Sequence, residues 1–437
     1  MDTSDYARWF RDSTPYISRH RNSTFVVLLD GAAFNSTNLA NIVHDLALVH
    51  VLGARLVLVH GARPQLDSSL TDSVFHQGRR ITRPADLPAI TGIYGQLRSR
   101  LEAMFSTGLP SSPLHQTDIA MISGNFITAQ PVGIVEGVDH ELTGATRKVH
   151  TRRLRLALDS GALVLLSPIG YSPSGQAFNL ASDELATDVA LALGADKLVI
   201  FNPAEALTND AGERLSVMSP SELDAYLSQQ SGADVNHLHC ALRACRGGVK
   251  NTQLIGYEKD GALLTELYTA KGDGTQITES LHDLIRPARQ EDVASIVEII
   301  RPLEDQGILV RRSRDRLEQE IGHFLVAEID RTVVGCCAVY PYESAAELAC
   351  VVVHPSYRDR LTDGGSGQLS IGSALLEAAE ASARTTGAQS LFALTTQTRD
   401  WFLENGFIDH TPDALPAPKQ ALYNYQRNSR VMIKPLD

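Results

Sequence analysis

Two rhythms of apolar residues run along this chain. Short unbroken runs rich in Val, Leu and Ile alternate with longer stretches in which apolar positions recur every three or four residues. Residues 25–29 (FVVLL), 55–60 (RLVLVH), 162–168 (ALVLLSP) and 197–202 (KLVIFN) are of the first kind and predict buried strands, and 120–130 (AMISGNFITAQ) continues the series. Leu39–Leu52 is of the second kind, with Ile42, Val43, Leu46 and Val49 on one face. Thr151–Ser160 and Ala181–Gly194 read the same way, with Gly194 placed to end the latter. Strands separated by helices imply βαβ units and a mostly parallel sheet. A polar helix from Ser4 to Ser13, docking through Trp9 and Phe10, is expected ahead of them.

The segment GALLTELYTAKGDGTQI closes this first unit near Thr278, and between about Glu279 and Arg286 the pattern lapses. A second unit starts at Ile285-Arg286-Pro287-Ala288, giving expected domains of 1–280 and 286–437. It reads as two amphipathic helices (288–306 and 312–322), then a hairpin turning at Asp330-Arg331. A strand (347–353), a glycine-bearing loop, and a helix with Ile371, Leu375, Leu376 and Ala379 on one face come next. Strand 390–396, a short helix ending at Gly406, and a last strand over 422–433 complete it. The fold class is α/β: a three-layer domain on a mostly parallel sheet, followed by an α+β domain.

Composition narrows the function classes. With 437 residues, 43% hydrophobic and 21% charged, both units can bury a core. A net charge of -12 with no long basic run argues against nucleic acid as a partner. The first residues lack an apolar core, and no apolar run approaches the roughly 20 residues that span a bilayer, so a cytoplasmic protein with no membrane partner is expected. The five cysteines (Cys240, Cys245, Cys336, Cys337, Cys350) lack paired CxxC spacing, which predicts reduced, mostly buried thiols and no metal site. Adjacent Cys336 and Cys337 should point to opposite faces of their strand.

The chemistry concentrates after that strand. His354-Pro355 stops an apolar run of strand length, and Gly364, Gly365, Gly367 and Gly372 lead into a helix with Ser370 as its N-cap. Strand, glycine loop and helix start present outward backbone N–H groups and a favourable dipole to a phosphate.

Several phrases then carry a resemblance: HGARPQLD, FNLASDELAT, GALLTELY, IRPLEDQGILVRRSRDRLE, ELACVVVHP, LFALTT, WFLENGF and LYNYQRNS. From Pro15 to the end the chain resembles the bacterial N-acetylglutamate synthases, which join an amino-acid-kinase-like domain to a GNAT acyltransferase domain. The resemblance implies acetyl transfer from acetyl-CoA to the α-amine of L-glutamate, the first step of arginine biosynthesis, with arginine as inhibitor and a homo-oligomeric assembly. Two other readings stand beside it: a bifunctional synthase with acetylglutamate kinase activity, and a non-catalytic arginine sensor.

By resemblance, Glu347 is the base that takes a proton from the amine. His354, with an unperturbed pKa of about 6.5, is its competitor. Many GNAT enzymes place a tyrosine four residues before the glycine of the GF pair; here that residue is Phe402, and the hydroxyl that protonates the leaving thiolate falls to Thr395. Two basic clusters could grip the substrate carboxylates: Arg311, Arg312 and Arg314, and Arg427 with Ser429. The resemblance favours Arg312, Arg427 and Ser429, with backbone contacts from Val310 and Cys350. CoA would lie along Cys350, Val351, Val352 and Val353, its pyrophosphate on Gly365, Gly367 and Gly372. The loop departs from the family pattern and is several residues longer, so either an insertion pushes the glycines outward or Gly372 and its neighbours do the cradling.

The first domain departs too. Where acetylglutamate kinases carry K-x-G-G on the first strand, this chain has Leu28, Leu29, Asp30 and Gly31, and where they have GGGPQ it has Gly61-Ala62-Arg63-Pro64-Gln65. A retained fold without phosphoryl transfer is implied. In arginine-sensitive relatives the effector binds near the N-terminal helix and the GALLTELY to GTQI segment. Glu266 would pair the guanidinium, with Tyr16, Gly274 and Thr275 nearby.

Overall fold

Phe25, Val27 and Leu29 face one side of the first strand and Val26 and Leu28 face the other, and all five are buried. A strand apolar on both faces belongs inside a parallel sheet covered twice. The computed structural model describes residues 11, 13–108, 111–209, 212–230, 235–269, 272–278, 285–329, 332–355, 371–424 and 429–436, the side chain of residue 15 apart. It divides into two compact units, Met1–Glu279 and Ser280–Asp437.

In the first unit the described strands are β1 (Thr24–Leu29), β2 (Arg55–His60), β3 (Met121–Ile122), β4 (Leu163–Leu166), β5 (Lys197–Asn202), β6 (Val217–Met218), β7 (Asn251–Gly256) and β8 (Thr275–Thr278). Their spatial order is β6-β8-β7-β5-β1-β2-β4-β3. Every pairing is parallel except β7 with β8. One face packs on the helices Thr151–Asp159, Ser182–Leu193 and Asn236–Arg246. The other packs on Leu39–Val51, Leu87–Phe105 and Ala262–Tyr268. The three-layer, mostly parallel arrangement is the one the hydrophobic rhythm predicts. Gly194 ends its helix in the left-handed region at φ 62°, as expected of a C-terminal glycine.

Some elements differ from expectation. The predicted helix from Ser4 to Ser13, with Trp9 and Phe10, lies almost wholly outside the described residues, and a helix the sequence reading did not name is found at Thr14–His20. The helix Leu87–Phe105 escaped prediction although Ile90, Tyr94, Leu97, Leu101 and Phe105 recur at helical spacing and are buried. The segment 120–130 is two strands, Met121–Ile122 in the main sheet and Ile127–Pro131 in a separate four-stranded sheet.

The second unit is built on β9 (Ile285–Pro287), β10 (Phe324–Ile329), β11 (Thr332–Pro341), β12 (Ala345–Val353), β13 (Ser390–Thr395), β14 (Ile408–His410) and β15 (Arg430–Pro435), in the order β9-β10-β11-β12-β13-β15-β14. Only β12 and β13 run parallel. The helix Val293–Asp305 packs on one face with Cys336 and Cys350. On the other, the Cys337 thiol meets the Leu375 carbonyl, 3.7 Å away in the helix Ile371–Thr385. The adjacent cysteines thus take opposite faces, all five thiols are unbridged, and burial pushes Cys337 up to about 12. The last strand is described over Arg430–Pro435; residues 422–424, expected to begin it, are turn and coil after the helical turn Ala417–Gln420, and 425–428 lie outside the described residues. Among the described residues no helix is long and apolar enough to cross a membrane.

Candidate functional site

β12 carries an irregularity that shapes the second unit. Cys336 pairs with Val352 but Ala338 pairs with Ala349, so three residue steps on β12 answer two on β11. The extra residue is taken up at Cys350, whose φ is +51°, in the left-handed region that non-glycine residues seldom occupy. Parallel pairing of β12 with β13 ends at Leu348 opposite Ala393, while β13 stays paired with β15 to its end at Thr395. Past Leu348, therefore, no described strand pairs with the β13 side of Ala349–Val352. That is an edge of backbone donors and acceptors inside the sheet.

Glu347 sits two residues into β12, at the last stretch still paired with β13, and it is buried. Its carboxylate is held by Lys419 from the turn Ala417–Gln420, with Nζ 2.6 Å from Oε1 and 2.7 Å from Oε2. The Tyr342 hydroxyl donates to Oε2 at 3.4 Å, and burial together with the Glu347 charge holds that phenol above its ordinary range. Glu347 is thus a buried, paired carboxylate within the strand. His354 follows β12, and its backbone N–H donates to the Val334 carbonyl.

Of the first basic cluster only Arg312 turns inward. Arg311 and Arg314 are exposed, and Arg314 pairs with Glu318 on its own helix. The Arg312 guanidinium donates through Nη1 to the Val310 carbonyl at 3.1 Å, while its Nε is buried with no described partner. Burial works against its charge, and the neighbouring Cys350, Tyr340 and Glu320 groups more than offset this. The structure so brings Arg312 and Cys350 together, and burial pushes the Cys350 thiol up to about 11.

Thr395 is buried at the end of β13, and its hydroxyl oxygen lies 2.8 Å from that of Thr398. Phe402 packs edge to face on Phe407 and is buried, so the family's usual tyrosine position holds only hydrocarbon. The Ser429 carbonyl accepts a hydrogen bond from the Tyr423 hydroxyl at 2.6 Å. Arg427, Gly365 and Gly367 lie outside the described residues, as does Ser370. Gly372 is the second residue of the helix Ile371–Thr385. Val352 is buried, and Val351 and Val353 are half-buried.

In the first unit a second constellation forms. Glu266, buried on the helix Ala262–Tyr268, accepts through Oε2 from the N–H groups of Asp273 and Gly274 at 2.7 and 3.0 Å. A Cβ on Gly274 would lie 2.1 Å from the Leu254 carbonyl oxygen, so only glycine fits this approach. Thr275 is fully buried, and its hydroxyl accepts from the Leu207 N–H at 2.8 Å. Tyr16 lies on the helix Thr14–His20, which meets Ala262–Tyr268 through the rings of His20 and Tyr268, 5.3 Å apart. Three of the four predicted residues are thus brought together, with the fourth on the adjoining helix.

The position of the kinase lysine is filled by Leu28, 5% exposed and packed in the core. The two flanking loops close on each other: a Cβ on Gly31 would stand 2.8 Å from the N atoms of Ala62 and Arg63, and Gln65 Nε2 donates to the Gly31 carbonyl. A cavity of about 690 Å³ remains beside them, lined in part by Asp30, Arg63, Arg80, Tyr94 and Asn179.

Lys419, Tyr342, Thr398, His20 and Tyr268 were absent from the sequence reading. The first of these meets Glu347 across 72 residues, and no local pattern marks it.

Residues 23–256 match the model of the amino acid kinase family, and residues 320–409 match that of the acetyltransferase (GNAT) domain. The chain is 44% identical over 440 residues to an amino-acid acetyltransferase of Pseudomonas putida, covering 99% of this chain and 100% of that protein. An amino-acid acetyltransferase of Azotobacter vinelandii matches with the same identity and coverage. Among solved structures, N-acetylglutamate synthase from Neisseria gonorrhoeae complexed with coenzyme A and L-arginine superposes with a TM-score of 0.85 at 34% identity, over 99% of both chains. The same enzyme complexed with coenzyme A and N-acetyl-glutamate gives 0.63 at the same identity and coverage.

Proposed function

Since the chain belongs to the family of bacterial N-acetylglutamate synthases, the amino-acid acetyltransferases, we propose that it moves the acetyl group of acetyl-CoA to the α-amine of L-glutamate, under inhibition by L-arginine. The observation that carries this reading is the parting of β12 from β13 at the Cys350 bulge, with Glu347 on one side of it and Arg312 beside it.

The open edge from Ala349 to Val352 offers the amides of pantetheine a strand to pair with, which would lay the thioester alongside Glu347. Gly372, at the start of its helix, and the glycines before it would receive the pyrophosphate. Arg312, with a buried Nε–H lacking a described partner, would meet one substrate carboxylate, and Arg427 with Ser429 the other. A guanidinium offers a planar fork for this that an ammonium cannot.

The α-amine of glutamate is mostly protonated near neutral pH, so Glu347 must take a proton before or during attack. The amine nitrogen then bonds to the thioester carbon, and the carbon–sulfur bond breaks. The CoA thiolate leaves with a proton drawn from the Thr395 hydroxyl, and the proton shed by the newly acetylated nitrogen restores that hydroxyl. Glu347 returns its proton to solvent, so the products balance as N-acetylglutamate, CoA and one proton.

The Glu266 carboxylate, anchored by two backbone N–H groups, is suited to pair the guanidinium of arginine in the first unit. Leu28 in place of the kinase lysine supports a regulatory rather than phosphoryl-transferring role for that unit. The test is thiol release from acetyl-CoA with L-glutamate and with other amino acids, each with and without arginine. Glutamate-dependent release that millimolar arginine suppresses is expected. Equal release with aspartate or other acceptors would overturn the assigned acceptor, and indifference to arginine would overturn the regulatory site.

A further inference from the structure

Glu347 is the proposed base, yet both of its oxygens are occupied. Lys419 Nζ lies 2.6 and 2.7 Å from them, and the two side chains are only 20% and 11% exposed. A carboxylate gripped on both oxygens by an ammonium is poorly placed to receive a proton from another amine. Removing Lys419 outright would leave a buried charge without a partner, a costly state. A different counter-ion must therefore arrive before the lysine leaves.

The acceptor supplies one. It enters carrying an ammonium and carboxylates, the same two charges that make up the resident pair. We propose that substrate binding exchanges ion pairs: the acceptor's ammonium replaces Lys419 on Glu347, and Lys419 turns to one of the acceptor's carboxylates, sharing it with the arginine that holds it. One ion pair exists in the site before the exchange and two after it, so no buried charge is stranded. The amine's proton is delivered onto the base by the same step. Lys419 is suited to this movement, being a point charge on a four-carbon stem. It comes from a single helical turn, and Glu347 is its only partner among the described residues. Lys419 is thus a positioning and specificity-determining residue, since an amine without a carboxylate gives the lysine nowhere to go. The inference rests on the reading of Glu347 as the base.

The test uses the full chain with CoA present and titrates N-acetyl-L-glutamate, which has both carboxylates but no ammonium, by calorimetry. In Glu347→Gln the lysine is released, and binding is expected to tighten at least five-fold over the parent chain. In Glu347→Gln with Lys419→Met the gain should vanish, and in Glu347→Gln with Lys419→Arg it should persist. The Met double variant removes both charges together, so it strands none, and a melting temperature close to the parent's is expected. A gain that survives in the Met double variant would mean only that repulsion by Glu347 had been relieved, and would overturn the proposal, as would the absence of any gain. Turnover of L-glutamate by Glu347→Gln is measured in parallel. Turnover at the parent rate would remove Glu347 as the base, while the titrations still decide whether Lys419 reaches an acceptor carboxylate.

Discussion

Thr395 and Thr398 hold their hydroxyl oxygens 2.8 Å apart, and the same Thr395 oxygen accepts backbone N–H groups from Gln397 at 3.3 Å and Thr398 at 3.0 Å. A hydroxyl oxygen has two lone pairs, and these two N–H groups use both. The Thr395 proton must then point at Thr398. The two N–H donors also stabilise negative charge on Thr395, which favours loss of its proton to a thiolate.

Thr395→Val keeps the shape and removes the proton. If Thr395 protonates the leaving thiolate, kcat should fall about 10- to 100-fold with glutamate KM within about two-fold of the parent. Thr398→Ala should lower kcat less, because Thr395 keeps both its proton and its backbone donors. Steady-state kinetics of thiol release decide it; an unaltered kcat in Thr395→Val would remove Thr395 from the mechanism.

Arg312→Lys keeps the charge and loses the fork. The buried Nε of Arg312 has no counterpart in lysine, and an ammonium cannot bond a carboxylate through two parallel N–H groups. Glutamate KM should rise about ten-fold, a loss of roughly 1.4 kcal/mol, while affinity for CoA stays as it was. An equal loss in both affinities would instead mean that Arg312 supports the fold of the site.

Glu266→Gln separates charge from scaffold. The glutamine amide oxygen can still accept the N–H groups of Asp273 and Gly274, so melting temperature should change little. Arginine inhibition should weaken at least about ten-fold, since a charged hydrogen-bonded pair contributes roughly 1.5–3 kcal/mol. Gly274→Ala should instead destabilise the unit itself, because its Cβ would collide with the Leu254 carbonyl. Intact inhibition in Glu266→Gln would place the effector elsewhere.

The fold was legible because its determinants are local. β1, β2 and β5 are apolar on both faces, and the helix packed behind β12 announces itself through Ile371, Leu375, Leu376 and Ala379. Cys336 and Cys337 needed only the two-residue period of a strand. The candidate site was legible in parts for the opposite reason. Arg312 was separable from Arg311 and Arg314 by resemblance, but that it alone turns inward depends on Cys350 and Tyr340 from other strands. The Lys419 partner of Glu347 comes from a turn with no pattern of its own, and the bulge at Cys350 is a register difference between two strands. Nothing in a run of apolar residues marks such a slip.

Asp45, on the helix Leu39–Val51, is pushed up to about 7 by burial and then by the nearby Asp260 carboxylate. A carboxyl raised in the folded state is protonated there while the unfolded chain, titrating near 4, has already lost its proton. Its contribution to stability is full below about pH 4 and is lost as pH rises through about 7. Asp45→Asn removes the titration, so the variant's advantage should grow from about pH 4 to about pH 7 and then level off. On the order of 2 kcal/mol is expected at pH 8, allowing for the side chain's partial exposure. Denaturant melts at several pH values would show it; parallel stability curves would refute it.

Cys350 stands at φ +51° in a buried strand, where a β-branched side chain is far less tolerated than a cysteine or a glycine. Cys350→Val should therefore do more than lose a thiol. Keeping the bulge would cost about 1–3 kcal/mol of backbone strain, and relaxing it would draw Ala349–Val353 back toward regular pairing. The first outcome lowers the melting temperature and the second closes the edge offered to pantetheine, so stability and CoA affinity should not both survive. Cys350→Gly meets the backbone demand without strain and should hold CoA as the parent does, although loss of a buried side chain lowers its stability somewhat. Calorimetric CoA affinities for the two variants, set beside their melts, test whether the bulge makes the cofactor edge. Equal affinity in parent, valine and glycine forms, with melts unchanged, would detach the bulge from CoA binding.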